Sequence, residues 1–249
     1  MSNILRLSKK IALSTYNTAN LNALIVGHGA TGIIKDNICN VPEGINTVVI
    51  DSDNRLWEKT KDSLAEKECI VYHFDPYGEG TFIDIQGFFQ KSSYSKYIFL
   101  NFGNKDTSKD INSITVLSEI VSKVKTRTEW YGEHTDHIRF VFYDFSAKGD
   151  VAMESGMMDL INRSDMFNVS FLFTVRHIGT VEKVLGEIFV KKLIRIPNKV
   201  FGHTKNYENL SFYEDITGRS SREITDLPQG DVLVTIQENC ILQDYDLTV

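Results

Sequence analysis

A short apolar run, Ala23-Leu-Ile-Val26, ends in the glycine turn Gly27-His28-Gly29-Ala30-Thr31-Gly32. A brief aliphatic run closed by glycine has the length and composition of an interior strand. Glycine at the bend allows backbone angles and close approaches that a Cβ would forbid. A helix starting there would aim its unpaired amides past the carboxyl end of the strand, where an anion is favoured. This strand–turn–helix unit directs the chain towards an α/β fold.

The rest of the sequence repeats the theme. Thr47-Val-Val-Ile-Asp51, Ile70 to Phe74, Tyr97 to Phe102, Ile138 to Tyr143, Val169 to Val175, Leu193 to Ile196 and Val232 to Ile236 read as strands. Helical patterns lie between them: Leu56 to Lys67, Ser113 to Lys125 (apolar at Ile114, Leu117, Ile120, Val121 and Val124), about Val151 to Ile161, Val181 to Val190 and Tyr207 to Ile216. Buried strands alternating with helices predict a mainly parallel sheet with helices on both faces, and a ligand site at the carboxyl ends of the strands. The expected organisation is an N-terminal arm over 1–20 and a single domain over 21–249.

Composition narrows the function classes. A net charge of -6 argues against a dominant nucleic-acid-binding face, so DNA contact is not indicated, although a local basic patch is compatible with it. Cys39, Cys69 and Cys240 lie far apart without ligand spacing, which points to reduced, buried thiols and away from zinc or disulfides. No apolar run approaches the roughly 18 residues of a membrane helix, and the first residues lack a signal-peptide core. The expectation is a cytoplasmic protein without a membrane span.

The glycine turn satisfies two motifs. As G-x-G-x-x-G after a strand, with Asp51 ending the next strand about 20 residues on, it matches a dinucleotide (NAD) fingerprint whose acid holds a ribose hydroxyl. As G-x-x-x-x-G it is the frame of a P-loop, whose amides cradle phosphate. A working P-loop continues with Lys and Ser/Thr; here those positions are Ile33 and Ile34. A third reading is purely architectural: a turn that needs glycine for close packing.

From Leu21 onward the chain resembles the nucleotide-binding domain of the TraG/TraD-type coupling proteins of bacterial conjugation and type IV secretion. Asn22-Ala-Leu-Ile-Val-Gly27 looks like their strand leading into the P-loop. Val48-Val-Ile-Asp51-Ser-Asp-Asn-Arg-Leu56 resembles the DPKGEL segment, with its proline and lysine lost. Lys96-Tyr-Ile-Phe-Leu100 resembles the strand before Walker B. Arg139-Phe-Val-Phe-Tyr-Asp-Phe-Ser-Ala-Lys-Gly149 is similar to the strand ending DEFANIG. Val184-Leu-Gly-Glu187 resembles VYGE, and Leu227-Pro-Gln-Gly-Asp-Val-Leu-Val234 resembles LPPGEALV. The resemblance implies a P-loop NTPase-like (RecA-like) three-layer domain.

The departures from that family are chemically patterned. Walker A has lost its lysine and hydroxyl. Tyr143 stands at the metal-binding Asp, Asp144 at the catalytic Glu, one residue late on the strand, and Arg176 at the polar sensor glutamine. The family's all-α insertion after the third strand has only Tyr77 to about Ser95 in its place, and its membrane helices have no counterpart, so the chain reads as a reduced motor core. Phosphoryl transfer depends on positioning and charge, so appreciable hydrolysis is not expected. Lys35, two helical positions past the missing lysine, points elsewhere. Lys148, the His134–His137 pair and Gly218-Arg219-Ser-Ser-Arg222 read as loop features, and Tyr94, Tyr97 and Phe102 as edge and core aromatics.

The resemblance implies a component of a conjugative DNA-transfer or type IV secretion system, a pseudo-ATPase that binds other proteins of that machine. It could be recruited to a membrane complex and could form a homo-oligomer. ATP, ADP or another phosphate ligand remains open at Gly27–Gly32, as do NAD binding with Asp51 and weak DNA-transfer ATPase activity.

Overall fold

The computed structural model describes residues 4–8, 11–14, 21–27, 30–40, 45–51, 54–76, 83–102, 107–130, 136–145, 156–228, 230–236 and 240–244. The chain divides into two compact units, one built from 38–143 and 150–171, the other from 2–37, 144–149 and 172–249.

The first unit contains the strands β4 (Ile45–Asp51), β5 (Cys69–Phe74), β6 (Ser95–Asn101) and β7 (His137–Tyr143). They are parallel, in the order β7-β4-β6-β5. Every residue of β4, β6 and β7 is buried, as strands covered on both faces must be. Its helices are α2 (Arg55–Ala65), α3 (Ile85–Phe89), α4 (Thr107–Trp130) and α5 (Met157–Asn162). Leu117, Ile120, Val121 and Val124 of α4 are all buried, at the helical spacing predicted for them. Trp57 of α2 stacks on His73 of β5 with ring centroids 4.4 Å apart and meets Phe99 of β6 edge-on at 5.1 Å.

Two basic side chains of this unit, one buried and one half-buried, are held by carbonyls. Lys96 donates to the carbonyls of Gly87 (2.6 Å), Phe88 (3.3 Å) and Gln90 at the end of α3. Arg127 donates to those of Asp136 (2.9 Å) and Phe167 (3.1 Å), and burial pulls its guanidinium down to about 10, still charged at neutral pH. Cationic groups are favoured against exposed carbonyl ends.

The second unit contains β3 (Ala23–Val26), β9 (Asn198–Gly202), β10 (Val232–Ile236), β11 (Cys240–Asp244) and the later part of β8 (Val169–Val175), whose first residues, up to Phe171, count with the first unit. Their order is β11-β10-β9-β3-β8. β3 runs parallel to β8 and β9, whereas β10 is antiparallel to β9 and β11. The unit's helices are α1 (Ala30–Cys39, its last two residues in the first unit), α6 (Ile178–Leu185), α7 (Glu187–Ile194), α8 (Tyr207–Thr217) and α9 (Arg222–Thr225). The sheets are mainly parallel, as predicted.

The N-terminal arm contributes structure of its own. Its strands β1 (Ile4–Arg6) and β2 (Ala12–Ser14) pair antiparallel, and Leu5 and Leu7 are fully buried. Asn37 of α1 accepts from the Arg6 amide (2.9 Å) and donates to the carbonyls of Arg6 (2.6 Å) and Ile33 (2.8 Å). The arm is thereby fastened to the helix that follows the glycine turn.

Several boundaries differ from the sequence expectation. The strand expected at Leu193–Ile196 does not exist: Leu193 is buried with Phe189 on α7, and the strand begins after Pro197, at Asn198. An aliphatic cluster of that length fits a buried helix turn as well as a strand. The single helix expected over Val181–Val190 is two, parted by Gly186 at φ 80°, a conformation that suits glycine. α4 extends beyond the expected Ser113–Lys125 at both ends, and the helix expected from Val151 is described over Met157–Asn162, with 151–155 outside the described residues. β1, β2 and β11 were not expected. No described helix is long and apolar enough to cross a membrane.

Candidate functional site

The glycine turn leaves β3 at Gly27, whose amide donates to the Val175 carbonyl of β8 (2.9 Å). Gly27 has φ 94°, and a Cβ there would stand 3.0 Å from the Gly202 carbonyl oxygen of β9. Glycine is required here by backbone conformation and by the neighbouring strand, independent of any ligand. Gly32, in the first turn of α1, differs: a Cβ there meets nothing within 4 Å, and the residue is exposed. Ala30 and Thr31 open α1, while His28 and Gly29 lie outside the described residues.

The positions that carry lysine and hydroxyl in a working P-loop face the core. Ile33 is 1% exposed and Ile34 is 0% exposed. They add packing to α1 and no charge. Lys35 is half-buried on the same helix.

Asp144 and Arg176, two residues singled out by the resemblance, meet. β7 ends at Tyr143, and Asp144 follows in the left-handed region at φ 53°. Asp144, expected one residue late on the strand, lies instead past its end, in a turn. Two bonds fix that turn to β8: the Asp144 amide donates to Thr174 Oγ1 (2.8 Å) and the Phe145 amide to the Thr174 carbonyl (2.8 Å). The Phe145 ring anchors it between Phe173 (5.1 Å) and Phe189 (5.3 Å). The Arg176 Nε lies 2.9 Å from the Asp144 Oδ2 in an ion pair, the arginine more open to solvent than the acid.

Arg176 is positioned from behind. Asn209 of α8, 1% exposed, donates to the Arg176 carbonyl (2.6 Å) and accepts from the Ile178 amide (2.9 Å), bracketing the step from β8 into α6. Thr174, Phe145 and Asn209 were not singled out from sequence. Asn209 is 31 residues from Ile178, so no local pattern reports it, although an asparagine in the buried turn of a helix is a signal worth reading.

Asp51 belongs to the other unit. It is 1% exposed, and its Oδ2 accepts from the Leu56 (2.7 Å) and Trp57 (2.9 Å) amides at the start of α2. A carboxylate in that place satisfies unpaired amides and complements the helix dipole. His137 has Nδ1 against Asn168 Oδ1 (3.1 Å) and Nε2 against Ser170 Oγ (2.8 Å). His134 and Lys148 lie outside the described residues. Among the described residues no group of three or more His, Cys, Asp or Glu is placed to hold a metal ion. Tyr97 and Phe102 are buried, and Tyr94 is exposed.

No family model matches the sequence, and no curated protein matches it. Solved structures share its fold. The conjugative coupling protein TrwB aligns with a TM-score of 0.59 and 9% identity over 90% of this chain and 85% of that one, and TrwB is also known in complex with the GTP analogue GDPNP. VirB4 of Thermoanaerobacter pseudethanolicus gives 0.59 and 8% identity over 90% and 88%. EssC (ATPases 2 and 3) of Geobacillus thermodenitrificans gives 0.52 and 13% over 98% of this chain, which spans only 43% of that one. The sheet order, the strand–turn–helix at Gly27 and these alignments together give this chain the P-loop NTPase-type α/β fold of conjugative coupling and secretion ATPases.

Proposed function

We propose that this protein is a non-hydrolysing, coupling-protein-like component of a bacterial DNA-transfer or type IV secretion system, and that it works by binding protein partners. The observation that carries this reading is the Asp144–Arg176 ion pair. At the positions where the resembling family holds a catalytic acid and a sensor, this chain pairs a carboxylate with its own guanidinium. The acid is then engaged by a fixed cation, while Ile33 and Ile34 supply neither phosphate charge nor a metal ligand. Catalysis of phosphoryl transfer needs those charges in place together. The shared fold with TrwB and VirB4 supports the system assignment. Cytoplasmic residence with recruitment to a membrane complex belongs to the same proposal.

The dinucleotide reading gains less, because the Asp51 oxygen that accepts from Leu56 and Trp57 is already committed to α2. The test is ATP turnover by the purified chain with Mg²⁺, beside a thermal-shift series with ATP, ADP, NAD and single-stranded DNA. Binding to the folded state alone raises apparent stability with ligand concentration. The expected outcome is no turnover above buffer. Turnover that Asp144→Asn abolishes would overturn the proposal, and an NAD shift lost in Asp51→Ala would replace it with the dinucleotide reading.

A further inference from the structure

Helix α7 turns Phe189 and Leu193 inward, where both are buried and Phe189 stacks on Phe145 of the same unit. Its outward face centres on Ile188, which is 76% exposed. Arg195, also exposed, caps the helix with helical backbone angles and so continues that face. At 3.6 residues per turn, Lys191, Lys192 and Arg195 all lie within about 60° of Ile188 around the axis, and no acid of the helix does. Lys191 pairs with Glu187 (2.7 Å), which lies further round. Lys192 and Arg195 form no ion pair among the described residues. Bases in a last turn complement the helix dipole. That accounts for the charges, but not for an isoleucine standing in water among them.

We infer that this face of α7 docks on an anionic lipid surface, with Ile188 entering the headgroup layer while Lys191, Lys192 and Arg195 meet lipid phosphates and carboxylates. Charge complementarity sets the sign of the partner, because three bases surround one aliphatic tip on a chain whose net charge is -6. The single tip sets its kind. A protein interface is built on a well-packed apolar core, and here the neighbouring Phe189 and Leu193 are turned away from it. Nucleic-acid phosphates would engage the bases and leave the isoleucine nothing to bury. A headgroup layer takes both, since bases hold the anionic surface while an apolar side chain is buried at the acyl boundary. A second copy is disfavoured, because two such faces would set bases against bases. The inference gives a surface to the membrane recruitment proposed above and rests on that part of it alone. Vesicle binding is read without nucleotide, so its failure is distinct from any result of the turnover assay.

The test is flotation of the full chain with phosphatidylcholine vesicles, with and without phosphatidylserine, at low and raised salt. The wild type is expected to bind the phosphatidylserine vesicles and to be released as salt screens the bases. Lys192→Gln with Arg195→Gln is expected to weaken binding about thirtyfold, and Ile188→Ser about tenfold. Lys59→Gln with Lys67→Gln removes the same charge from exposed positions of the first unit and is expected to leave binding unchanged. Circular dichroism checks that each variant is folded, and the same proteins are titrated with single-stranded DNA. Salt-sensitive vesicle binding that both α7 variants weaken and the control keeps supports the assignment. No vesicle binding, equal binding without phosphatidylserine, full binding by either α7 variant, or loss in the control overturns it. DNA binding that the α7 variants abolish, with vesicles left unbound, overturns it in favour of a nucleic-acid contact.

Discussion

His137 has both ring nitrogens engaged inside the first unit, and burial is the main cause that pulls it down to about 3, with Arg139 and Arg127 adding to the effect. Its pKa is thus lower folded than unfolded, where it is about 6.5. Above the unfolded value the ring is neutral in both states and its contribution is complete. As pH falls from about 6.5 towards about 3, the unfolded chain binds a proton that the folded one refuses, and stability declines by up to roughly 1.4 kcal/mol per pH unit. Urea unfolding at pH 7 and pH 5 is expected to show about 2 kcal/mol of loss from this group. His137→Gln should flatten that part of the pH profile, and an unchanged profile would contradict the argument. The first and last glycines of the turn should also separate. Gly27→Ala meets a positive φ and the Gly202 carbonyl, so a loss of about 2 kcal/mol is expected. Gly32→Ala fills open space on a helix and is expected to stabilise by up to about 1 kcal/mol. Equal losses at both sites would mean that Gly32 has a constraint its surroundings do not display.

At the scale of elements, buried asparagines join segments that no strand ladder joins. Asn37 pairs with both backbone groups of Arg6 and so fastens the β1–β2 hairpin to α1, while Asn209 does the same for the step between β8 and α6. Asn37→Ala leaves the Arg6 amide and two carbonyls without this partner inside the protein. The expected cost is about 2–3 kcal/mol, read from the urea midpoint, with faster proteolysis within the first 15 residues. Cleavage no faster than in the wild type would show that Leu5 and Leu7 hold the hairpin unaided. α3 depends on Lys96 in a related way. Burial disfavours the charged Lys96 ammonium, and its carbonyl contacts at Gly87, Phe88 and Gln90 compensate for lost water.

At the scale of the whole molecule, the glycine turn is held by packing whatever the chemistry of the site. The strand–turn–helix at Gly27 persists because Gly27 packs against Gly202 and donates to Val175, contacts that need no nucleotide. On the proposed non-hydrolysing reading, a single substitution should not produce ATP turnover. Arg176→Gln, which recreates the sensor residue of the resembling family, is expected to leave ATP turnover at background in a phosphate-release assay, because Ile33 and Ile34 still supply no cation and no metal ligand. Measurable turnover in that variant would contradict the proposal that Ile33 and Ile34 preclude hydrolysis.

The sequence by itself determined the fold class, because short aliphatic runs bounded by glycine and alternating with helical periodicity have few ways to bury themselves other than a mainly parallel sheet. It also determined what the turn lacks, since an isoleucine cannot act as an ammonium at any geometry. It misplaced the strand at Leu193–Ile196, where an apolar cluster satisfies helix and strand patterns alike and only packing against the rest of the unit decides. Tertiary structure alone decided that Asp144 turns out of its strand to meet Arg176 and that Asp51 caps the start of α2. Those outcomes depend on contacts between residues far apart in the chain, and side-chain pairing of that kind leaves no period or spacing to read.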